Sequence, residues 1–287
     1  ATVDPAEFGT YVHAVLEDTG RKVMELGGFH KVSVEETLNI ANSYSKEYIS
    51  RHFQQIDSQR VNYLFQRNAK ELEMVVTELW EELRDSDFEP SDFELGFGTK
   101  DGLEPIALNG EKMSALLRGF VDRVDTWSEN DQVYFRIVDY KTGKKDFDYC
   151  DVFNGIGLQM LLYLFALEDG AEELFDSKPQ ITGVQYFPAR VPLVPSDGAL
   201  TQQQAAEARS KNFRRKGLLL SDDEILRAME PSDNPKRLCC TRKKDGSVSG
   251  DIASRQQFRQ LKKYVYGLLS DIVDEIASGN VTPNPYT

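Results

Sequence analysis

The chain has 287 residues, 40% of them hydrophobic and 28% charged, and a formal net charge of −13. These values fit one large soluble globular domain or two small ones. They argue against a nucleic-acid binder held by bulk positive charge, so any such contact must come from local basic clusters.

No apolar stretch is long enough to span a bilayer, and no signal peptide is expected. The three cysteines, Cys150, Cys239 and Cys240, are odd in number and two are adjacent. They suggest neither a disulfide framework nor a zinc site, and a reduced, cytoplasmic setting is the expectation. Both ends, "ATVDPAEFGTY" and "GNVTPNPYT", read as cuts in something longer.

Residues 1–88 read as a helical part. "PAEFGTYVHAVLEDTGRKVMEL" sets Phe8, Val12, Val15, Leu16, Val23 and Leu26 on one helical stripe. Asp4 before Pro5 suits an N-cap and first helical position, and Ser33 with Glu36 suits a capping box. "DFEPSDFELGFG" ends the helices. Residues 89–190 read as a sheet core, with strands through "FELGFG", "PIALNG", "MSALLRGFVDRVDTW" and "QVYFRIVDYKTG". A helix over "VFNGIGLQMLLYLFALE" and a strand at "ITGVQYFPAR" follow. Residues 191–253, polar and mixed, read as an insertion with a helix or two and mobile loops. Residues 254–279 read as a closing amphipathic helix capped by Gly279. There are no internal repeats. The order predicts an α/β core in a single domain, 1–287, with a helical N-terminal part.

The stretch "IVDYKTGKKD" sets Asp139 and Lys141 where an apolar strand leaves the interior. With "RGFVDRVDTWSENDQ" before it, it makes a hairpin turning between Asn130 and Asp131. In that register Asp122 faces Asp139, their Cβ atoms roughly 5 Å apart. Opposed carboxylates in apolar rows repel and need a shared proton, a basic partner such as Lys141, or a divalent hard cation. The bland alternative, a strand-end aspartate pointing to solvent, carries about equal weight. His13 lies beside the apolar stripe of the first helix; alone, such a histidine is more often a satisfied core residue than a ligand. Gln159 and Tyr163, four apart on an apolar helix, meet on one face. They either bond each other or line the site. Arg123 points away from Asp122 and suits a structural salt bridge. Glu94 is a candidate for a further site carboxylate, with a solvated strand residue the preferred reading. The clusters holding Arg214, Arg215 and Lys216 and holding Lys243 and Lys244 are candidate DNA-phosphate contacts, with a solvated loop or partner-facing surface at least as well supported.

"GTYVH" (Gly9 to His13), "GFVDRVD" (Gly119 to Asp125), "DYKTG" (Asp139 to Gly143) and "QMLLY" (Gln159 to Tyr163) occur in the order of the motifs of RecB-type nucleases. The chain thus resembles the PD-(D/E)xK superfamily. With "GVQYFPARVPLV", "RRKGLLLSDDEILRAM" and "IASGNVTPNPY" the likeness narrows to the C-terminal nuclease domains of AddB (RexB)-type subunits and covers nearly the whole chain. The resemblance implies a restriction-endonuclease-like fold, a central mixed sheet flanked by helices. It implies a metal-dependent DNA exonuclease acting on single strands in double-strand-break repair beside an AddA-type helicase–nuclease subunit. It implies Mg²⁺, with Mn²⁺ as substitute, on His13, Asp122, Asp139 and the Tyr140 carbonyl, and catalytic or positioning roles for Asp122, Asp139, Lys141, Gln159 and Tyr163. It implies an iron–sulfur cluster in the full-length protein, whose four cysteine positions none of Cys150, Cys239 and Cys240 matches. Two alternatives stand beside this reading: a non-cutting scaffold of the same fold, and a CRISPR-associated exonuclease of the same superfamily.

Overall fold

The apolar stripe of the first helix is what that helix buries. Phe8, Val12, Val15, Leu16 and Val23 are each at most 6% exposed in the computed structural model, which describes residues 5–52, 58–100, 102–170, 175, 178–191, 201, 204, 211, 213–280 and 282. Asp4, the expected N-cap, lies outside the described residues. Helix α1 (Pro5–Glu25) stops before Gly27 and Gly28, both at positive φ, which leaves Leu26 beyond its end and 46% exposed. Helices α2 (Val34–His52) and α3 (Ser58–Asp85) complete the helical part. The Glu36 amide donates to Ser33 Oγ at the start of α2.

The strands follow as β1 (Glu89–Phe97), β2 (Ile106–Asn109), β3 (Ser114–Leu117), β4 (Gly119–Glu129) and β5 (Gln132–Lys141). The expected single helix after β5 is two. Helix α4 (Tyr149–Phe153) is separated from α5 (Gln159–Gly170) by a bend in which Gly155 and Gly157 take φ values of 77° and 69°, a backbone that breaks a right-handed helix. Strand β6 (Gln180–Pro188) comes next.

Residues 191–253 correct the expectation of an insertion. They supply β7 (Lys216–Leu220), α6 (Asp223–Met229), a β8 (Cys240–Arg242) and β9 (Val248–Gly250) hairpin, and β10 (Ile252–Ala253). Strands β7 and β10 belong to the central six-stranded sheet, ordered β1-β4-β5-β6-β7-β10. Of the helix or two expected in 191–253, α6 is described, and most of residues 192–212 lie outside the described residues. Helix α7 (Arg255–Ala277) closes the described fold with a Ser254–Gln257 capping box.

The sheet is mixed: β5 runs parallel to β6 and β7 to β10, and the other neighbours are antiparallel. One face packs an apolar cluster with α5, α6 and α7; the other buries Val138, Tyr140 and Phe187 with the stripe of α1 and the apolar side of α3. This mixed sheet between two helical layers fits the α/β fold expected.

Within the second layer lies a buried ionic cluster. Glu82 of α3 accepts from Arg123 and Arg136 on Oε1, at 2.9 and 3.0 Å, and from Arg215 on Oε2 at 2.6 Å. Asp125 sits between Arg123 and Arg136. Burial alone would raise the Glu82 carboxyl, but Arg215, Arg123 and Arg136 outweigh it and hold the group well below the usual carboxylate range. Arg123 therefore has the structural ion pairs expected of it.

Candidate metal and phosphodiester site

The β4–β5 hairpin has the anticipated register. Its ladder pairs Glu129 with Gln132 through to Arg123 with Val138. Asn130 and Asp131 turn the chain at φ 51° and 60°, the left-handed pair of a tight two-residue hairpin turn. Asp122 and Asp139 are the next residues beyond the last pair. There the Asp122 side chain enters the ladder itself: its Oδ2 accepts the Tyr140 amide at 2.6 Å.

On the other side of β4, Phe93 of β1 pairs with Arg123 and Leu95 with Val121, which sets Glu94 opposite Asp122. Glu94 holds a φ of 50°, uncommon for a residue with a side chain. The two strands change facing across this point. Phe93 packs by Gly20 of α1 and Arg123 bonds α3, whereas Leu95 and Val121 enter the opposite apolar cluster. Glu94 and Asp122 sit at the change-over.

Helix α1 brings His13 to the same place. A Cβ on Gly9 would stand 3.4 Å from Thr142 Oγ1, so the helix runs close to the end of β5 there. His13 Nε2 lies 2.8 Å from the Tyr140 carbonyl. A carbonyl only accepts, so this bond places a ring hydrogen on Nε2. The other nitrogen, Nδ1, stands 3.6 Å from Asp122 Oδ2.

His13, Glu94 and Asp122 each offer one ligand atom, and the three atoms lie within 4.8 Å of one another. Glu94, set aside in the sequence as a solvated strand residue, is half-buried and brings its carboxylate to His13 and Asp122. Burial first, then Asp122 and Glu17, raise its carboxyl to about 7, with Arg21 opposing. Asp139 stands beside this trio and outside it. Its Oδ2 is buried without a hydrogen-bond partner, although Lys141 Nζ is 2.6 Å away. The pair is thus a close ionic contact whose angle does not suit a hydrogen bond. Burial, then Asp122, raise the Asp139 carboxyl; Lys141 and His13 oppose. Raised carboxyls and a mixed oxygen–nitrogen donor set fit a hard divalent cation.

Tyr163 is buried, stacks on Phe97 at 5.3 Å and accepts from Gln159 Nε2 at 3.1 Å. The two therefore bond each other. A Cβ on Gly119 would stand 1.8 Å from the Tyr163 hydroxyl oxygen, so the first glycine of "GFVDRVD" is required by packing.

The basic clusters divide. Arg215 is 1% exposed and ion-paired to Glu82, so its expected DNA contact is overturned: its guanidinium is spent inside the fold. Arg214 is tied to the carbonyls of Leu238 and Cys240. Lys216, Lys243 and Lys244 are exposed, Lys216 beside Asp146 at 3.1 Å.

A mixed sheet between helices, with acidic residues, a lysine and a histidine gathered where central strands part, is the frame of a nuclease. The chain belongs to the PD-(D/E)XK nuclease superfamily, whose family pattern matches residues 1–287. It is similar to bacterial proteins named as subunits of an ATP-dependent helicase/deoxyribonuclease: 33% identical to that of Acetivibrio thermocellus over 98% of this chain, and 31% to that of Thermoanaerobacter sp. and that of Moorella thermoacetica over 99%. The chain spans 25% of the length of each of these relatives. No helix among the described residues is long and apolar enough to cross a membrane.

Proposed function

We propose that this chain is the nuclease domain of a helicase–nuclease subunit, hydrolysing phosphodiester bonds of single-stranded DNA during double-strand-break repair beside an AddA-type subunit. The observation that carries the reading is the gathering of His13, Glu94 and Asp122 donor atoms within 4.8 Å, next to the Asp139–Lys141 pair.

His13, Asp122, Asp139 and the Tyr140 carbonyl would hold Mg²⁺, and Glu94 joins them as a fourth side chain. A bound Mg²⁺ would polarise the scissile phosphate and acidify a bound water. Every other task falls to the chain. Lys141, ion-paired to Asp139, orients the attacking water or stabilises charge developing on the phosphate oxygens. Asp122 holds the Tyr140 amide and so fixes the Asp139–Tyr140 peptide plane, while His13 holds the Tyr140 carbonyl. Gln159 and Tyr163, bonded to each other, position the wall of the site beside Gly119. Exposed Lys216, Lys243 and Lys244 are the remaining candidates for contact with the DNA backbone. The relatives' names and the family resemblance support the helicase-linked setting, the partner subunit and a cluster in the full-length protein.

The test is cleavage of end-labelled single-stranded DNA with Mg²⁺, with Mn²⁺ and with EDTA, beside Asp139→Ala. Metal-dependent cutting that the variant lacks is the expected result. Cutting that survives in Asp139→Ala, in a contaminant-free preparation, overturns the assignment of the site.

A further inference from the structure

Phe120 is 52% exposed on the strand that buries Val121, Arg123, Val124 and Asp125. It lies two residues before Asp122 on β4, and Val121 between them is 1% exposed in the core. Val121 enters the cluster on the α5 side, so the pleat sets Phe120 on the other face of the sheet, that of α1, whose His13 stands 3.6 Å from Asp122. The strand partner of Phe120 is Gly96 of β1. A Cβ on Gly96 would stand 3.1 Å from Phe120 Cε1, so the glycine lets the ring lie close against the neighbouring strand. Glu94, opposite Asp122, is two residues away on that same strand. Arg118, exposed and without an ion-pair partner among the described residues, precedes the strand.

An aromatic ring laid against a glycine, open to solvent and a strand pleat from the carboxylates is a surface for one flat apolar occupant. Aromatic side chains beside a cationic rim are how proteins hold successive bases of single-stranded nucleic acid. A protein partner seated on Phe120 would cover the approach to Asp122, whereas a nucleotide of the substrate strand would share it.

We infer that Phe120 is a substrate-positioning residue that stacks a nucleobase of a single strand next to the phosphate being cut, with Arg118 available to the adjoining backbone. The inference deepens the nuclease reading and rests on it for the identity of the strand. It also supplies a basis for preferring single strands, because a base paired in a duplex keeps its faces stacked within the helix and cannot offer one to a side chain.

The experiment uses this whole chain and a single-stranded oligonucleotide in EDTA, so that binding is read without cutting. A fluorescent 2-aminopurine is moved along the strand one position at a time. The expected result is quenching at one position that Phe120→Ala loses and Phe120→Trp keeps, with affinity about tenfold weaker for Phe120→Ala. Replacing the base at that position by an abasic site should weaken wild-type binding to the level of Phe120→Ala and leave the variant unchanged. Equal quenching and affinity in wild type and Phe120→Ala overturns the inference. So does an equal loss on normal and abasic strands, which marks a structural ring. So does a wild type that binds no single strand, which leaves the face to another occupant. Cleavage in Mg²⁺ is run in parallel. Stacking without any cutting would remove the nuclease reading and keep the contact; cutting without stacking would do the reverse.

Discussion

Glu94 of β1 and Asp122 of β4 face each other across neighbouring strands, and each places a carboxylate oxygen within 4.8 Å of the other and of a His13 nitrogen. Two carboxylates and an imidazole in that space are unfavourable while both acids are ionised, and Glu94 yields, its carboxyl raised to about 7 by burial first and then by Asp122.

A pH signature results. A carboxyl raised in the folded state contributes stability below its unfolded value and loses it as pH rises through the folded value. Without divalent metal, the melting temperature should therefore fall between about pH 5 and about pH 8, and Glu94→Gln should flatten that fall. Added Mn²⁺ should restore stability at the upper end and release protons, measurable by calorimetry in two buffers of different ionisation enthalpy. A slope unchanged in Glu94→Gln would show that another group titrates.

Removing the Asp139 carboxylate, proposed as a metal ligand, should separate stability from activity. Asp139 is buried, its carboxyl raised, and its Oδ2 lacks a hydrogen bond. Asp139→Asn relieves a buried like-charge contact, so its melting temperature without metal should equal or exceed that of the wild type. Its cleavage of single-stranded DNA should drop by about a hundredfold or more. A variant that unfolds would assign Asp139 to the scaffold instead.

The ionic cluster under the sheet predicts the opposite separation. Glu82→Gln leaves Arg123, Arg136 and Arg215 facing a neutral group and should cost about 3–5 kcal/mol in denaturant unfolding. The wild-type cluster stabilises at and above the usual glutamate range and gives way only as pH falls through the far lower folded value of Glu82. The variant should lose that contribution at neutral pH already. The mutant's residual activity per folded molecule should stay within a few-fold, since Glu82 is on the other face from Asp139.

Gly119→Ala should be destabilising by about 1–3 kcal/mol through overpacking, since the added Cβ would meet the Tyr163 hydroxyl. Tyr163→Phe in the same chain should recover part of that loss. A double-mutant coupling of about 1 kcal/mol in unfolding free energy would establish the contact, and strict additivity would refute it.

What the sequence made legible follows contact range. Asp122 and Asp139 could be set together because a two-residue turn joins their strands and fixes the register. Glu94 could not, because the β2–β3 hairpin intervenes between β1 and β4, and the alternation that exposes a residue on paper does not foresee a facing change at φ 50°. Arg215 reads as part of a solvated basic run in "RSKNFRRK", yet its partner Glu82 is 133 positions away, beyond local pattern. A shorter gap also hid β7, whose place in the sheet depends on pairing with β6 across a long polar stretch. Helices with an apolar stripe were readable because the stripe and the burial are one property.

Tyr140 carries one last consequence. Its amide bonds Asp122, its carbonyl receives His13, and its phenol lies 3.5 Å from Arg123 on the far face. The two hydrogen bonds that reach the site belong to the main chain, which every amino acid but proline supplies in full, while the ring stands edge-on to His13 at 5.7 Å. A saturation scan of position 140 would report mainly on the phenol and on packing. The hydrogen bonds this residue gives the site are invisible to ordinary genetics, and would emerge only from an amide-to-ester replacement made by chemical synthesis.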